Sequence, residues 1–595
     1  MLRVPSVLLT LAFSSLFAGT AFAQTPPPPE SEAPATTLKA TTRNVLLDVV
    51  VTDKRDKPVS GLRKEDFQVL EDGKPQTISF FETAFAGTPG AASAVPAPPL
   101  PPNTFTNVPA VAPNNAVNVL LMDALNTNMG DQSLVHKEMV RYLASIPPGT
   151  RIGIMLLSER LRIVQGITQD STLLRASLAR LAANPSQSAL LLTIGETEAQ
   201  LGAVNMIMQQ GVENNSTQIQ ASATALQDFL AQQNTFEANM RSAMTMEALQ
   251  QIARYLSGIP GRKNLIWVVG SFPACIGTEC PIAYMDVYKK TMDALANARV
   301  SVYPIDARGI TLNMMHDVEN SKPPGLAGNS QQAIAAQAAS LNSDAAVDAS
   351  NQGNMDRLAK ETGGKATFNS NDFKEALAVD IDNGSRYYTL AYTPINNREL
   401  GKERKIEIKT ASGSYKLAYR RSYFEDSPKD LKAAQTASPK DQLRPLMDRG
   451  MPNFTELSYR EKLAPASVQP AADAPIAGDN AALKAPFTRY SVNLALSPDG
   501  LGLVPGPDGV RRGSIEVAMV AYDQQGKALN WQVRFLGLAI RPEQNAIAQA
   551  SGIPFHFDFD LPPGDVYLRT GIYDASTSKV GTLELQLNSV TPAPQ

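Results

Sequence analysis

The amino-acid sequence predicts an α/β fold in which a doubly wound, mainly parallel sheet is flanked by β-sandwich-like regions. Residues 117–122 and 265–269 are apolar runs without polar alternation, which is typical of strands buried on both faces. Such strands alternate with segments of helical apolar spacing over residues 116–380, which favours parallel strands with helices on both faces. Residues 386–424 and 486–592 instead alternate apolar and polar side chains, as antiparallel strands do.

The first 23 residues are expected to be a signal peptide. Arg3 supplies positive charge, residues 7–17 form an apolar core, and residues 21–23 (Ala-Phe-Ala) are a typical cleavage site. An uncleaved anchor is the alternative, but the apolar run is shorter than the roughly 20 residues of a membrane span, and no later stretch approaches that length. We therefore expect an exported protein, periplasmic or extracellular, with no transmembrane segment. A Pro-rich linker over residues 24–40 is expected to follow the signal peptide.

Length and composition indicate several ordinary globular domains. The chain has 595 residues, of which 43% are hydrophobic, and its formal net charge of −3 gives no reason to expect a nucleic-acid partner. Cys275 and Cys280 are its two cysteines, and in an oxidising compartment a disulfide between them is expected. A zinc site is not expected there, because none of the three histidines is adjacent in sequence.

Two β-segments and a β-sandwich surround the α/β region. The N-terminal β-segment, residues 41–84, has too few strands to close a core, so it is expected to pair with the β-segment 386–424. The α/β region would then be an insertion between the two. Residues 85–115 and 425–485 are expected to be linkers, and residues 486–592 a C-terminal β-sandwich.

The α/β region opens with a buried strand that ends in a carboxylate. Asp123 follows the apolar run and begins a polar loop, after which a helix capped by Asp131 or Ser133 is expected. The Pro-Pro-Gly sequence at 147–149 ends that helix, and residues 151–158 form the next strand. Because ligands bind at the carboxyl ends of strands in such sheets, Asp123 lies where a cation site would be built.

Further helices and strands complete the predicted sheet. Helical spacing recurs over residues 184–260, and its apolar stripe, which includes Leu226, Phe229 and Leu230, is expected to pack in the core or against another helix. A later buried strand ends in Asp306, which places a second carboxylate at the carboxyl edge of the sheet.

Short motifs occur along the chain between the two β-segments. They are Leu47–Asp53, Gly61–Val69, Leu120–Thr127, Pro260–Trp267, Tyr303–Gly309, Tyr388–Pro394 and Arg420–Phe424. Together they resemble a family of exported bacterial von Willebrand factor A-related proteins. The resemblance covers about residues 44–424 and leaves the C-terminal sandwich outside. It implies an A-like domain over residues 116–380 that binds a ligand or partner, and it implies no enzymatic activity.

The resemblance also implies a place for a divalent cation. Metal-binding members of the family carry an Asp-x-Ser-x-Ser loop after the first strand; Asp123 and Thr127 match two of its positions, and Asn126 offers an amide oxygen. Mg2+ and Ca2+ take oxygen ligands of this kind. This sequence departs from the pattern at Leu125, in place of the first serine, and at Gly270, where metal-binding members have an aspartate. We therefore prefer a loop braced by hydrogen bonds of Asp123, with Mg2+ or Ca2+ binding as the alternative.

Catalytic motifs are few. No Gly-x-Ser-x-Gly, His-Glu-x-x-His or phosphate-binding Gly-Lys-Ser/Thr sequence occurs. Ser271, just after the strand 265–269, and Asp306 are the other candidates at the carboxyl edge, and Asp306 is expected to bind Arg308 or a neighbouring turn.

The sequence therefore predicts an exported, non-enzymatic protein that binds an unidentified protein or cell-surface ligand through the carboxyl edge of its A-like sheet. The alternative is a metal-dependent hydrolase that uses the carboxylates of Asp123 and Asp306. A deep pocket with paired carboxylates would favour the enzyme, and a shallow polar edge would favour binding.

Overall fold

The computed structural model describes thirteen stretches of the chain. They are residues 44–85, 100–108, 116–183, 203–204, 207, 216–272, 282–308, 348–370, 372–395, 402–411, 413–424, 443–471 and 474–589. The predicted signal peptide 1–23, the Pro-rich linker 24–40, and Cys275 and Cys280 lie outside the described residues. Among the described residues, no helix has the length and apolar character that crossing a membrane requires.

Most described residues lie in strands or helices. The strands, numbered in chain order, are β1 Val45–Thr52, β2 Phe67–Glu71, β3 Lys74–Gln76, β4 Ile78–Ala84, β5 Thr104–Thr106, β6 Val117–Asp123, β7 Ile152–Leu157, β8 Leu161–Thr168, β9 Lys263–Val269, β10 Val300–Asp306, β11 Tyr387–Tyr392, β12 Glu403–Thr410, β13 Lys416–Ala418, β14 Ser422–Phe424, β15 Tyr459–Pro465, β16 Thr488–Leu496, β17 Val504–Pro505, β18 Arg511–Tyr522, β19 Ala528–Ile540, β20 Ile553–Leu561, β21 Tyr567–Asp574 and β22 Lys579–Gln586. The helices are α1 Met129–Leu143, α2 Ser171–Ala183, α3 Thr217–Leu256, α4 Ile282–Asn297, α5 over residues 348–362, α6 Phe373–Gly384 and α7 Asn545–Ser551.

The central sheet has the strand order β10-β9-β6-β7-β8. Strands β6, β7, β9 and β10 are parallel, and β8 runs antiparallel to β7 at one edge. Every residue of the four parallel strands is buried, which explains why their sequences are nearly continuous apolar runs. The prediction of a mixed α/β region with parallel strands is confirmed.

Helices cover both faces of this sheet. One face carries α3, α4 and α5, and the other carries α1, α2 and α6. Strand β6 shows the division, because successive side chains of a strand point to opposite faces. Its Val119 and Leu121 pack on the face that carries α3, α4 and α5, and its Leu120 and Met122 pack on the face that carries α1, α2 and α6. Polar side chains therefore collect at the two ends of the strands.

Strands from before and after the central sheet form one β-domain. In its first sheet β1 pairs antiparallel with β11 and β13, and β4 pairs with β11. In its second sheet β12 pairs with β2 and β14, and β2 pairs with β3. The two sheets share a core that includes Phe67 and Tyr388, whose ring centroids are 5.3 Å apart. Residues 44–84 and 387–424 thus bury one another's apolar faces.

Two arginines, one buried and one partly exposed, attach the amino ends of the central strands to this β-domain. Arg262 precedes β9 and is 1% exposed; its Nη2 donates to the Tyr303 hydroxyl at 2.9 Å. The backbone N of Arg262 donates to the hydroxyl of Tyr387 in β11 at 3.1 Å. Arg299, which precedes β10, pairs with Asp48 of β1, with 2.9 Å between Nε and Oδ2. The carboxyl edge of the sheet lies at the other end of these strands.

Two further sheets form a C-terminal β-domain. One has the order β20-β16-β15-β5, the other comprises β17, β18, β19, β21 and β22, and one apolar core lies between them. The expected linkers are therefore wrong in part, because β5 lies within residues 85–115 and β15 within residues 425–485. Both strands were missed because nearby prolines argue against a strand. Pro101 and Pro102 closely precede the three-residue β5, and Pro465 ends β15.

Thr455 joins this C-terminal domain to the end of α3. The Thr455 hydroxyl accepts from the backbone N of Gly258 at 2.7 Å and donates to the carbonyl oxygen of Tyr255 at 2.8 Å. The approach requires glycine, because a Cβ at residue 258 would lie 2.5 Å from the carbonyl oxygen of Thr455. The C-terminal domain is thus held by the last turn of a helix whose preceding turns pack on the central sheet.

Candidate functional site

The carboxyl ends of β6 and β9 lie where the order of the strands reverses. From β6 the chain continues to β7 on one side, whereas β9 and β10 lie on the other. Loops that leave such neighbouring strands move apart, and the crevice between them is where α/β sheets commonly bind ligands. Residues 123–128 follow β6, and Gly270 and Ser271 follow β9, so both loops with candidate residues meet here.

The carboxylate of Asp123 is buried and accepts four hydrogen bonds. Its Oδ1 accepts from the backbone N of Leu125 at 3.0 Å and of Asn126 at 2.9 Å. Its Oδ2 accepts from Asn126 Nδ2 at 2.9 Å and from the indole Nε1 of Trp267 at 3.0 Å. Each oxygen therefore has two donors, which fills the acceptor capacity of an ionised carboxylate.

Asn126 and Thr127 hold the loop against α3 and the end of β9. The Nδ2 atom of Asn126 also donates to the hydroxyl of Thr245 in α3 at 2.9 Å. Thr127 Oγ1 accepts from the backbone N of Gly270 at 2.9 Å, and the backbone N of Ser271 donates to the carbonyl oxygen of Asn126 at 3.0 Å. The candidate residues thus contact one another through hydrogen bonds that close the crevice.

Burial and hydrogen bonding act in opposite directions on Asp123. Desolvation raises the pKa of the Asp123 carboxyl from its ordinary value of 3.8 to about 6, and the donors of Asn126, Trp267 and Leu125 limit the rise. The carboxyl is therefore ionised at neutral pH, with its charge stabilised by N–H groups.

The residues of the loop do not fit a divalent cation. Mg2+ and Ca2+ require several oxygen lone pairs directed at one point. Here both oxygens of Asp123 and the hydroxyl of Thr127 are used by N–H donors, and the Leu125 side chain is apolar and fully buried. Asn126 turns its amide nitrogen to Asp123, and its Oδ1 is the one oxygen of these three side chains without a hydrogen-bond partner. The described part of the chain also brings together no group of three or more metal-ligating His, Cys, Asp or Glu side chains.

Asp306, at the end of β10, forms a separate ion pair. Its Oδ2 lies 2.8 Å from Nη2 of Arg308, and its Oδ1 accepts from Nε and from the backbone N of Arg308, each at 3.0 Å. Arg308 also pairs with Asp348 of α5, and the two carboxylates raise the pKa of the guanidinium. Asp306 is 2% exposed, so its carboxylate is committed to Arg308 rather than to Asp123.

The helix after the loop begins differently from the prediction. Asn128 is the N-cap of α1, and its side chain accepts from the backbone N of Asp131 at 2.9 Å. The prediction of Asp131 or Ser133 as cap was wrong, because the helix starts directly after the braced loop. Gln132, in the first turn, donates from its side chain to the carbonyl oxygen of Thr127 at 2.7 Å and so links helix and loop.

Two members of the site were missed by sequence reasoning. Trp267 lies opposite Leu121 in the β6–β9 register and on the same face, so the strand pairing would have found it if the pairing had been known. Thr245 belongs to α3, more than a hundred residues from Asn126, and no spacing in the sequence connects them.

A second concavity lies between the β7–β8 turn and the C-terminal domain. It has a volume of about 1000 Å3, and charges of both signs line it, among them Glu159, Arg160, Arg162 and Glu584. Glu584 already accepts from the backbone N of Gly450 at 2.9 Å. Its lining residues include no His or Cys.

Comparison with known proteins gives no family assignment. The chain matches no protein-family model and none of the curated proteins. An aerotolerance-related membrane protein from Bacteroides fragilis, with multiple mutations to serines, is 11% identical, and the match covers 45% of this chain and 99% of that one (TM-score 0.21). Protein BatB from Bacteroides thetaiotaomicron is 11% identical, and the match covers 45% of this chain and 98% of that one (TM-score 0.22). A von Willebrand factor type A protein from Catenulispora acidiphila is 9% identical, and the match covers 58% of this chain and 76% of that one (TM-score 0.23). These TM-scores are too low for the likeness to carry an argument about function.

Proposed function

We propose that this protein is an exported, non-enzymatic binding protein with a von Willebrand factor A-like central domain. It contacts a protein or cell-surface partner at the carboxyl edge of the central sheet, without a metal ion. The observation that carries the proposal is the Asp123 carboxylate, which is 2% exposed and accepts four N–H donors. A carboxylate enclosed in this way neither activates a water nor ligates a cation, so recognition is left to the surface around it.

The architecture around the sheet supports the same edge as the binding face. Arg262 and the Arg299–Asp48 pair attach the amino ends of the strands to the β-domain, so that end is occupied. At the carboxyl edge, α1 starts with exposed residues such as Asn128, Ser133 and Leu134. In open α/β sheets, ligands bind outside the carboxyl ends of the strands, where loops and helix starts form the surface.

The hydrolase alternative has less support. It needs two carboxylates that share a substrate, but Asp123 is enclosed by donors and Asp306 is paired with Arg308. General acid–base catalysis requires the acid and the base to reach the same substrate atoms.

Export is supported by the sequence of residues 1–23. We expect the mature protein, isolated from the periplasm or the medium of the producing cells, to begin at Gln24. N-terminal sequencing decides this, and a chain that keeps Met1 in the membrane fraction would contradict it. Non-reducing peptide mapping of the same material should recover Cys275 and Cys280 in one disulfide-linked species.

Binding at the carboxyl edge is tested with two matched substitutions on α1. Leu134 and Val140 are similarly exposed, at 39% and 38%, but Leu134 lies in the half of the helix next to the Asp123 loop and Val140 near its far end. Labelled mature protein should bind saturably to cell envelopes from a strain that lacks it, equally with Mg2+ or with EDTA. Leu134→Arg should weaken this binding at least about tenfold, and Val140→Arg should not.

Either of two results would overturn the proposal. One is the absence of saturable binding to envelopes and to medium components of the producing cells. The other is equal loss of binding in both variants while their melting temperatures stay at the wild-type value, because the carboxyl edge would then have no special part.

A further inference from the structure

The first half of α3 carries an exposed apolar seam. Its members recur at intervals of seven, three, seven and four residues, and their exposed fractions are 38% to 64%. They are Ile219, Leu226, Phe229, Phe236 and Met240. In a heptad repeat, apolar residues alternate at spacings of three and four, at positions called a and d. Here residues 219, 226 and 240 occupy a positions, and residues 229 and 236 occupy d positions. Leu226 and Phe229 were expected either in the core or in helix–helix packing, and their exposure places both outside the described core.

A neighbouring line of the same helix is already packed. Ala223, Leu230 and Glu237 are buried at a spacing of seven residues, and Val204 packs against the first two. Leu230 and Glu237 each follow a member of the exposed seam by one residue, which corresponds to about 100° around the helix. One side of the first half of α3 therefore packs against other described residues of the chain, and the adjacent side is exposed. Its second half, by contrast, joins the core of the central sheet from Met246 onward.

The surface around the seam carries almost no charge. Between residues 217 and 240 the charged residues are Asp228 and Glu237, and Glu237 is only 6% exposed. Helices that lie on membranes flank their apolar face with Lys and Arg, and helices that dock on charged partners carry the opposite charge. A seam flanked by Gln, Asn and Ala meets an identical seam without like-charge repulsion.

We propose that this seam joins two copies of the chain, whose α3 helices pack side by side as a short two-stranded coiled coil. From Ile219 to Met240 the seam advances by 21 residue steps, or about 32 Å at about 1.5 Å per residue, which is the length of three heptads. With about 200 Å2 for each whole side chain, the five exposed residues offer roughly 500 Å2 per copy. Two copies then bury about 1,000 Å2, the size at which a specific interface begins. This inference is independent of the partner at the carboxyl edge.

Gln233 gives the pair a reason to select one alignment. It occupies an a position in the middle of the seam, and its Nε2 donates to Oε1 of the buried Glu237 at 3.0 Å. Polar residues at single a positions fix the register of coiled coils at some cost in stability. The interface is therefore expected to be reversible, with dissociation measurable by dilution.

The test is sedimentation equilibrium of the mature full-length protein over a range of concentrations. The wild type should show a reversible monomer–dimer equilibrium. The double substitution Phe229→Glu, Phe236→Glu should raise the dissociation constant at least about 100-fold, because each copy would place two charges in the seam. Phe535→Glu is the matched control, since Phe535 is also an exposed phenylalanine (57%) but lies in β19, and it should leave the equilibrium unchanged.

Three outcomes would overturn the proposal. A wild type that stays monomeric at the highest concentration excludes a second copy as the occupant, whatever other partner the seam has. A dimer that survives the double substitution places the interface elsewhere. Equal dissociation by the double substitution and by Phe535→Glu shows a nonspecific effect. Far-UV circular dichroism and melting temperature of each variant identify loss of dimer through unfolding, and Phe229→Ala with Phe236→Ala then replaces the charged pair in the same measurement.

Discussion

Two carboxyl groups in different regions of this protein are equally buried and differently surrounded. Asp123 ends β6 of the central sheet, and Glu461 lies in β15 of the C-terminal domain; they are 2% and 0% exposed. Asp123 accepts four N–H donors, whereas neither carboxyl oxygen of Glu461 has a hydrogen-bond partner in the described structure. Burial alone therefore does not determine what a carboxyl group does in a fold.

The pKa values of the two groups record this difference. Desolvation raises the pKa of Glu461 from its ordinary value of 4.5 to about 8, against an opposing effect of the nearby Thr570 hydroxyl. Desolvation raises the pKa of Asp123 only to about 6, because its donors stabilise the charge. At neutral pH Glu461 is thus a neutral acid in an apolar core, and Asp123 is an anion that organises a loop.

The largest effect is expected from the titration of Glu461. Its pKa is raised in the folded state, so the unfolded chain loses this proton near pH 4.5 and the folded chain keeps it until about pH 8. The free energy of unfolding of the C-terminal domain should therefore fall by up to roughly 1.4 kcal/mol for each pH unit over that window. Calorimetry of wild type and Glu461→Gln checks this, because the variant should lose this part of the pH dependence and be the more stable of the two at pH 8. Equal slopes for both proteins would contradict the assignment.

At Asp123, replacing the carboxyl by an amide should lower the free energy of unfolding, whereas at Glu461 it should raise it at pH 8. Asp123→Asn places an NH2 group against one of the donors, and the buried indole or amide N–H then lacks an acceptor. We expect a loss of about 3 kcal/mol, since an unsatisfied buried donor costs on the order of 1–3 kcal/mol and the lost acceptor was charged. Urea unfolding can follow the central sheet alone in a Trp531→Phe background, because the chain has two tryptophans and Trp267 is then the reporter. Asp131→Asn, at a half-buried position in the first turn of α1, is the control and should change little.

A smaller effect is expected from Trp267→Phe. This substitution keeps an aromatic ring next to Phe272, whose centroid is 5.0 Å from that of Trp267, but removes one of the four donors to Asp123. We expect a loss of about 1–2 kcal/mol, including the smaller ring, and a further rise in the pKa of Asp123. Thermal unfolding at pH 5 and pH 8 measures both. An unchanged pH dependence would show that the indole N–H contributes nothing to the charge on Asp123.

Local patterns in the sequence predicted which carboxylates end the strands, but not which side chains from other elements contact them. Asp123 could be placed at the end of a buried strand because an apolar run without alternation precedes it, and Asp306 for the same reason. Trp267 and Thr245 could not be linked to it, because their contacts depend on which strands become neighbours and on where α3 crosses the sheet. Knowledge of the strand order was the missing physical information.

Two strands were missed where the composition was misleading, and periodicity left open which part of one apolar stripe is buried. The three-residue β5 is preceded by prolines that are typical of a linker, and its partner β15 is a large distance away in sequence. The stripe on α3 has the spacing of a buried face, yet Leu230 is buried and the adjacent Phe229 is 60% exposed. Periodicity identifies an apolar face of a helix, but it does not say whether the same chain covers it.

We propose that protein donors, and not a cation, hold the loop after β6. The most direct test is the melting temperature of the central-sheet transition with millimolar Mg2+, Ca2+ or Mn2+ and with EDTA, at pH 8, where Asp123 is ionised and competent to bind. A ligand that binds only the folded state raises its stability by mass action. We expect the same melting temperature in all four solutions. A saturable rise with any of the ions, lost in Asp123→Ala, would contradict it.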